Sequence, residues 1–214
     1  RPIGLGIMGF HDALYIKKIP YASNEAVEFA DEFQELVSYF AIDASADLAR
    51  ERGSYESFTG SDWSKGIVPI DTLHRLAEER GYDYCDFNVG TRLDWEALRN
   101  KVIGGMRNSN GLAIAPAATI ANTCGVSQSI EPTFQNLYVK SNLSGEFTVI
   151  NKYLVKELKE RNLWSDELCE MLKELEGDVS KIEGMPADIV ALFATAFQTD
   201  PRFLVEAAAR RQKW

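Results

Sequence analysis

The chain is short of the residues that staple small folds or hold metal ions. It has three cysteines in 214 residues, Cys85, Cys124 and Cys169. They are odd in number, widely spaced and outside any C-x-x-C pair, which points to reduced thiols rather than a disulfide framework. Histidine is scarcer still, with only His11 and His74. Neither has a second ligand at metal spacing, so no metal site is indicated, and each reads as a surface or capping residue. No apolar run approaches the roughly 20 residues of a membrane span. The N-terminus lacks the charged, apolar and cleavage pattern of a secretory signal, and a soluble, cytoplasmic protein is expected. Positive charge is also in deficit, 23 Lys and Arg against 32 Asp and Glu, for a formal charge of −9. That balance excludes a general binder of nucleic acid or of acidic membrane, which needs a basic face to release counterions, but it allows a local anion site. What is present is apolar: 45% of the chain is hydrophobic, ample for a buried core.

Gly4, Gly6 and Gly9 stand in the G-x-G-x-x-G spacing of a dinucleotide fingerprint. No apolar strand precedes the first glycine, and no acidic residue closes a second strand about 20 positions later, where the pattern is helical. Close packing of a helix on its neighbours is the better reading. Between Ser23 and Arg52 apolar residues recur at Ala26, Phe29, Phe33, Leu36, Phe40, Ala44 and Leu48, one face of a long helix that Gly53 ends. The segment "SYESFTGSDWSKGIVP" is an ordered loop pinned by Tyr55, Phe58 and Trp63. Asp71 and Asp94 stand at N-cap positions of two short helices, which flank an irregular piece containing Tyr82, Tyr84 and Cys85. After Pro132 the stretch "NLYVKSNLSGEF" reads as irregular. Helices are then expected over 149–161, 165–176, 186–197 and 201–213, separated by Gly177, Gly184 and the Asp200-Pro201 pair. No internal repeat and no interior domain boundary is evident over residues 1–214.

One stretch, "GMRNSNGLAIAPAATIANTCGVSQSIEPTF" from Gly105 to Phe134, admits two readings. The run Gly111 to Ala115 is a candidate buried parallel strand that stops at Pro116 and opens into small residues. An ordinary junction of strand, turn and helix accounts for this pattern. So does a site where backbone N–H groups and a helix start meet an anion. Arg107 either orients a phosphate or pairs within the structure, and Glu131 before Pro132 reads as structural, since a carboxylate close to a diphosphate repels it.

The words "RPIGLGIMGFHDAL", "GSYESFTGSDWSKGIVPIDTL", "MRNSNGLAIAPAATIAN", "SIEPTFQNLYVKSNLSGEFTVINKYL" and "TAFQTDPRFLVEAAARRQKW" follow one another through the whole chain. In that order and spacing the sequence resembles the large, catalytic subunit of class I ribonucleotide reductase. The resemblance implies an α/β fold, a partial ten-stranded α/β barrel of the ribonucleotide reductase type with a helix-rich C-terminal half. It implies reduction of a ribonucleoside diphosphate at the 2′ carbon by radical chemistry. Pro116 to Ala121 looks like the family's substrate-diphosphate loop, commonly P-T-A-T-I-S, so Ala117, Ala118, Thr119, Ile120 and Ala121 are the expected substrate-binding residues. The hydroxyl residues of that pattern at 117 and 121 are alanine here, and a hydrogen bond to a charged group is worth about 1.5–3 kcal/mol.

The family's radical cysteine stands in an Asn-Leu-Cys-x-Glu setting, and no such string occurs. No catalytic residue and no metal ligand is therefore assigned, and the three cysteines read as packing residues. The resemblance implies that this is one piece of a reductase, as from a split or intein-interrupted gene. Alone it is expected to be inactive, with no cofactor of its own. The implied partners are the remainder of the large subunit, a second copy of the complete large subunit, and a small, metal-containing, radical-generating subunit. Two other readings stand beside it: a noncatalytic remnant or interaction module of the same fold, and a related radical enzyme such as a glycyl-radical enzyme, for which no glycyl-radical motif is present.

Overall fold

The structure, a computed structural model, describes residues 1–81, 88–143 and 145–214. The irregular piece with Tyr82, Tyr84 and Cys85 lies outside the described residues. The chain forms two compact units: residues 1–6, 27–115 and 206–214 make the first, and residues 7–26 and 116–205 the second. Each unit is built from separated stretches of sequence.

In the first unit the dominant element is α2 (Asn24–Arg52), which follows the short α1 (Phe10–Lys17) of the second unit. The apolar periodicity locates this helix to within a residue but not its buried face. Phe33, Leu36, Phe40 and Leu48 are exposed, while Ala30, Asp31, Glu35, Ser38, Ile42 and Ala46 are buried. The buried face mixes small and apolar residues with polar ones, and the polar ones serve backbone segments that need partners there. Glu35 accepts N–H groups from Arg92 at 2.7 Å, Leu93 at 3.1 Å and the Trp95 indole at 3.1 Å. Burial alone would raise the Glu35 carboxyl; these donors and the Arg92 guanidinium outweigh it and hold it below the usual carboxylate range. One turn earlier, Asp31 accepts from the Lys213 ammonium at 3.0 Å and from the Trp214 indole at 2.6 Å. The Ser38 hydroxyl donates to the Trp214 carbonyl at 2.6 Å, and the Trp214 ring stacks on Trp95 at 5.3 Å.

Around these contacts Ile42, Val68, Ile70, Leu98 and Val102 form an apolar core on which Tyr55, Phe58 and Trp63 pack, so the loop is pinned as its aromatics suggest. Two helices follow, α3 (Thr72–Arg80) and α4 (Trp95–Ile103). Asp94 caps α4 as expected, accepting the Ala97 N–H at 3.0 Å. Asp71 does not cap α3. Its carboxylate turns back to the Val68 N–H at 3.0 Å and pairs with Arg99 at 2.6 Å.

The expected strand at 111–115 requires correction. Residues 3–5 and 110–113 do run side by side in parallel, with Leu5 N–H donating to Gly111 O at 2.9 Å and Ala113 N–H to Leu5 O at 3.1 Å. The pairing is one isolated bridge, and Ala113, Ile114 and Ala115 are exposed because no second neighbour pairs with them among the described residues. This close approach, rather than a helix contact, accounts for Gly6: a Cβ there would lie 2.8 Å from Ala113 O.

In the second unit the chain continues from α5 (Ala118–Cys124) to a hairpin, β1 (Leu137–Asn142) and β2 (Gly145–Ile150), with Leu137 opposite Ile150. The expectation of irregular structure over 136–147 is thus wrong at 137–142 and 145–147. The strands carry Tyr, Val, Phe and Thr, but most positions are exposed, so no alternation of buried and exposed residues marked them. The remaining helices are α6 (Lys152–Glu160), α7 (Asp166–Glu174), α8 (Ala187–Leu192) and α9 (Pro201–Gln212). All four lie within the expected segments. The first starts later because Val149 and Ile150 belong to β2, and α8 ends five residues early.

Asn151 and Ser165 cap α6 and α7. Leu154, Leu158, Leu168, Leu172, Ile189 and Phe193 fill the core between them, each aliphatic contributing about 1.5–3 kcal/mol. At its edge the buried Asn136 donates to Gly177 O at 3.2 Å and Phe193 O at 2.8 Å, and accepts from Asn151 at 2.9 Å.

Two stability measurements follow. Asp31→Ala leaves the Lys213 cation buried without its partner and is expected to lower the unfolding free energy by about 3–5 kcal/mol in urea titration, while Asp31→Leu with Lys213→Met recovers most of it. A loss below about 1 kcal/mol for the single variant would contradict the assignment. Gly177 and Gly184 both have positive φ, 77° and 79°, but a Cβ at 177 would collide with the Leu137 nitrogen, and at 184 nothing lies within 4 Å. Gly177→Ala is expected to cost at least about 2 kcal/mol more than Gly184→Ala, by the same titration.

Candidate functional site

At Pro116 the exposed extended segment ends in a residue that has no N–H to donate. Ala117 then takes φ 53° and ψ 28°, a left-handed conformation that costs an L-residue with a Cβ about 1–2 kcal/mol. The bend starts α5 abruptly. Its first intrahelical donor is Ala121, whose N–H reaches Ala117 O at 2.9 Å. The amides of Ala118, Thr119 and Ile120 precede that bond and belong to the unpaired start of the helix. No side chain caps them, and the first turn carries no acidic residue. The helix therefore presents an uncompensated positive end. Ala118, Thr119 and Ile120 are exposed, and Ala121 is the one buried residue of the helix.

The five residues singled out in the sequence thus share one helix start but play different parts. Ala118, Thr119 and Ile120 offer N–H groups, Thr119 adds an exposed hydroxyl, and Ala117 makes the turn. Ala121 has committed its N–H within the helix and its methyl to the interior. Arg107 takes the structural role, its guanidinium donating to Arg52 O and Gly53 O at 3.1 Å each. Cys124, at the end of α5, is exposed, and Cys169 is partly buried, so Cys124 is not the packing residue expected. Neither lies in a group of three or more potential metal ligands among the described residues.

The residues that sequence reasoning missed are on α1. Past α5, Val126 N–H returns to Ala121 O at 3.1 Å, and the chain passes along α1 as a strap. Ser127 N–H donates to Asp12 Oδ2 at 2.7 Å, and Gly9 N–H donates to Ser127 O at 2.8 Å. The Tyr21 hydroxyl donates to Ile130 O at 2.7 Å, and Thr133 N–H donates to His11 Nδ1 at 2.9 Å. His11 is fully buried, stacked on Tyr15 with 4.1 Å between ring centroids, and is not the surface or capping residue expected. Burial pushes its pKa down to about 3, against the opposing charge of Asp12. Burial and that same negative charge raise the Tyr153 hydroxyl. A neutral imidazole accepting at Nδ1 carries its proton on Nε2, an assignment that follows from the hydrogen bond. Nε2 has no hydrogen-bond partner among the described residues. A buried, unpaired donor costs about 1–3 kcal/mol, so what histidine contributes here is the acceptor at Nδ1. The one signal in the sequence is that His11 and Asp12 interrupt the apolar residues of "FHDAL".

The chain is 52% identical over 215 residues to the ribonucleoside-diphosphate reductase subunit alpha of Chlamydia muridarum, covering all of this chain and 20% of that protein. It is 35% identical over 212 residues to the large subunit of the Caenorhabditis elegans reductase, covering 99% of this chain and 25% of the relative. The chain therefore spans about a fifth to a quarter of these relatives. Among solved structures, the alpha subunit of the Actinobacillus ureae class Id ribonucleotide reductase shares the fold, with a TM-score of 0.70 at 23% identity. The match covers all of this chain and 31% of that one. The family model described as the ribonucleotide reductase barrel domain matches residues 1–214, from end to end, and this chain belongs to that family.

Proposed function

We propose that this chain is part of the catalytic subunit of a cytoplasmic ribonucleoside-diphosphate reductase, and that the start of α5 binds the diphosphate of the substrate. The observation that carries the reading is the turn at Ala117, which leaves the amides of Ala118, Thr119 and Ile120 ahead of the first intrahelical bond with no carboxylate in the turn. Three convergent N–H donors and the positive end of a helix suit a diphosphate and need no cationic side chain. Thr119 adds a hydroxyl on the same exposed turn. Of the two hydroxyls absent relative to the family's loop pattern, the one at 121 is lost from a buried position and only the one at 117 from the turn itself. The loop therefore keeps its backbone donors.

In this reading the residues of this chain bind and orient, holding the substrate while reduction at the 2′ carbon proceeds on groups carried elsewhere in the subunit. The radical that such chemistry requires comes from a metal-containing small subunit. The extended segment 111–115 takes its place in a ten-stranded barrel completed by the remainder of the large subunit. The exposed row Phe33, Leu36 and Phe40 on α2 suits burial against that same polypeptide. This chain alone is inactive.

Two substitutions test the cradle in the assembled reductase. Thr119→Ala is expected to raise the dissociation constant of a ribonucleoside diphosphate about three- to thirtyfold, for loss of one hydrogen bond to a charged group. Ile120→Asp places a carboxylate in the first turn, where it favours the helix and repels a diphosphate. It is expected to weaken binding by about tenfold or more without lowering the melting temperature. Unchanged affinity in both variants would place the diphosphate elsewhere. Threonine at 117 is not a useful restoration, because a β-branched residue is strained at positive φ.

A further inference from the structure

We propose that His11 and Asp12 are positioning residues for the diphosphate cradle, holding the strap from Val126 to Thr133 and through it the direction in which the amides of Ala118, Thr119 and Ile120 point. This inference rests on the diphosphate reading above. The helix α5 cannot fix its own orientation. It has seven residues, too few to be stable on local hydrogen bonds, and only Ala121 is buried. Its N-terminal side is an exposed extended segment.

What holds it is its C-terminal side. Gly125 closes the helix, and Val126 N–H reaches back to Ala121 O, six residues to one, which locks the exit angle of the chain. From that point the backbone is tied to α1 and the residues flanking it at five places, one of them the Ser129 carbonyl, which accepts the Phe10 N–H at 3.5 Å. Ser127 is held at both its N–H and its carbonyl, by the Asp12 carboxylate and the Gly9 amide, Ile130 at its carbonyl by Tyr21, and Thr133 at its N–H by His11. The side-chain ties come from buried groups, with His11 fully buried, Tyr21 nearly so and Asp12 at 9% exposure. Water cannot readily replace them. Val126 also passes close to Gly9, where an added Cβ would come within 3.3 Å of the valine side chain.

His11 suits the role because its environment keeps it neutral. Burial holds the imidazole uncharged through the physiological range, so the Nδ1 lone pair that receives the Thr133 amide is always available. Leucine in its place would fill much of the volume and offer no acceptor. Asparagine would put an amide oxygen close to where Nδ1 lies.

The test uses the complete large subunit assembled with its small subunit, and compares His11→Leu, His11→Asn, Asp12→Ala and Tyr21→Phe. Three readouts are needed: amide hydrogen exchange of peptides spanning 118–133, equilibrium binding of CDP, and the separate effects on KM and kcat. His11→Leu and Asp12→Ala are expected to speed exchange across 118–126 by about tenfold or more and to raise the CDP dissociation constant and KM about five- to thirtyfold, with a smaller change in kcat. His11→Asn should restore both readouts to within about threefold of the parent. Tyr21→Phe removes one tie without disturbing the core, and should shift exchange in the same direction if the larger changes prevent folding. Unchanged exchange over 118–126 in all folded variants would overturn the proposal. So would faster exchange with CDP affinity intact when Thr119→Ala weakens it. If Thr119→Ala and Ile120→Asp are also without effect on affinity, the diphosphate reading is the part that has failed, and this inference falls with it.

Discussion

A backbone amide taken out of water must find an acceptor, and at several loops of this chain a buried side chain supplies it. The single two-stranded sheet among the described residues is largely exposed, so sheet ladders do little of this work. Glu35 receives the amides of Arg92 and Leu93, Asp12 that of Ser127, and His11 that of Thr133. Asn136 does the converse, donating to the carbonyls of Gly177 and Phe193. Each unit is organised around such a polar anchor set beside an apolar cluster. A charged or polar side chain with all its partners in place costs little, and removing one partner costs a great deal. The short helices keep their places because the loops between them are held at named atoms.

The candidate site is one of the helix starts that no side chain caps, as those of α1, α3 and α8 are too. At the start of α5 the amides of Ala118, Thr119 and Ile120 are left without the capping side chain that Asp94, Asn151 and Ser165 provide for α4, α6 and α7. The turn that exposes them is made by an alanine at positive φ rather than by a glycine. Strain at Ala117 and donors without a capping side chain, at one exposed turn with no acidic residue, suit an anion. The anchors on α1 and the donors on α5 are then two halves of one arrangement. One half is buried and fixed, and the other is open to a ligand.

Much of this was legible in the sequence, and what was missed shares a cause. The extent of α2 follows from its 3.6-residue period, and the capping role of Asp94 from its position before "WEALRNKVI". The buried face of α2 did not follow, because periodicity reports where apolar residues lie and not which side the neighbours occupy. That face was chosen by Asp31 and Glu35, acidic residues that a pattern assigns to solvent. His11 was missed for the same reason: a lone histidine is read as exposed until the amide that needs it is seen. The strands 137–142 and 145–150 escaped because none of their described residues is buried. The proposed substrate loop came from likeness to a family, and its local pattern alone also fitted an ordinary junction.

The central claim is that backbone amides at one helix start hold the substrate's diphosphate. A structure of the complete large subunit with a bound ribonucleoside diphosphate tests it most directly. The account predicts phosphate oxygens at about 2.7–3.1 Å from the nitrogens of Ala118, Thr119 and Ile120, with the Thr119 hydroxyl beside them and the Asp12 and His11 contacts unchanged. A diphosphate held by side chains elsewhere in the subunit, with these three amides facing solvent, would contradict it.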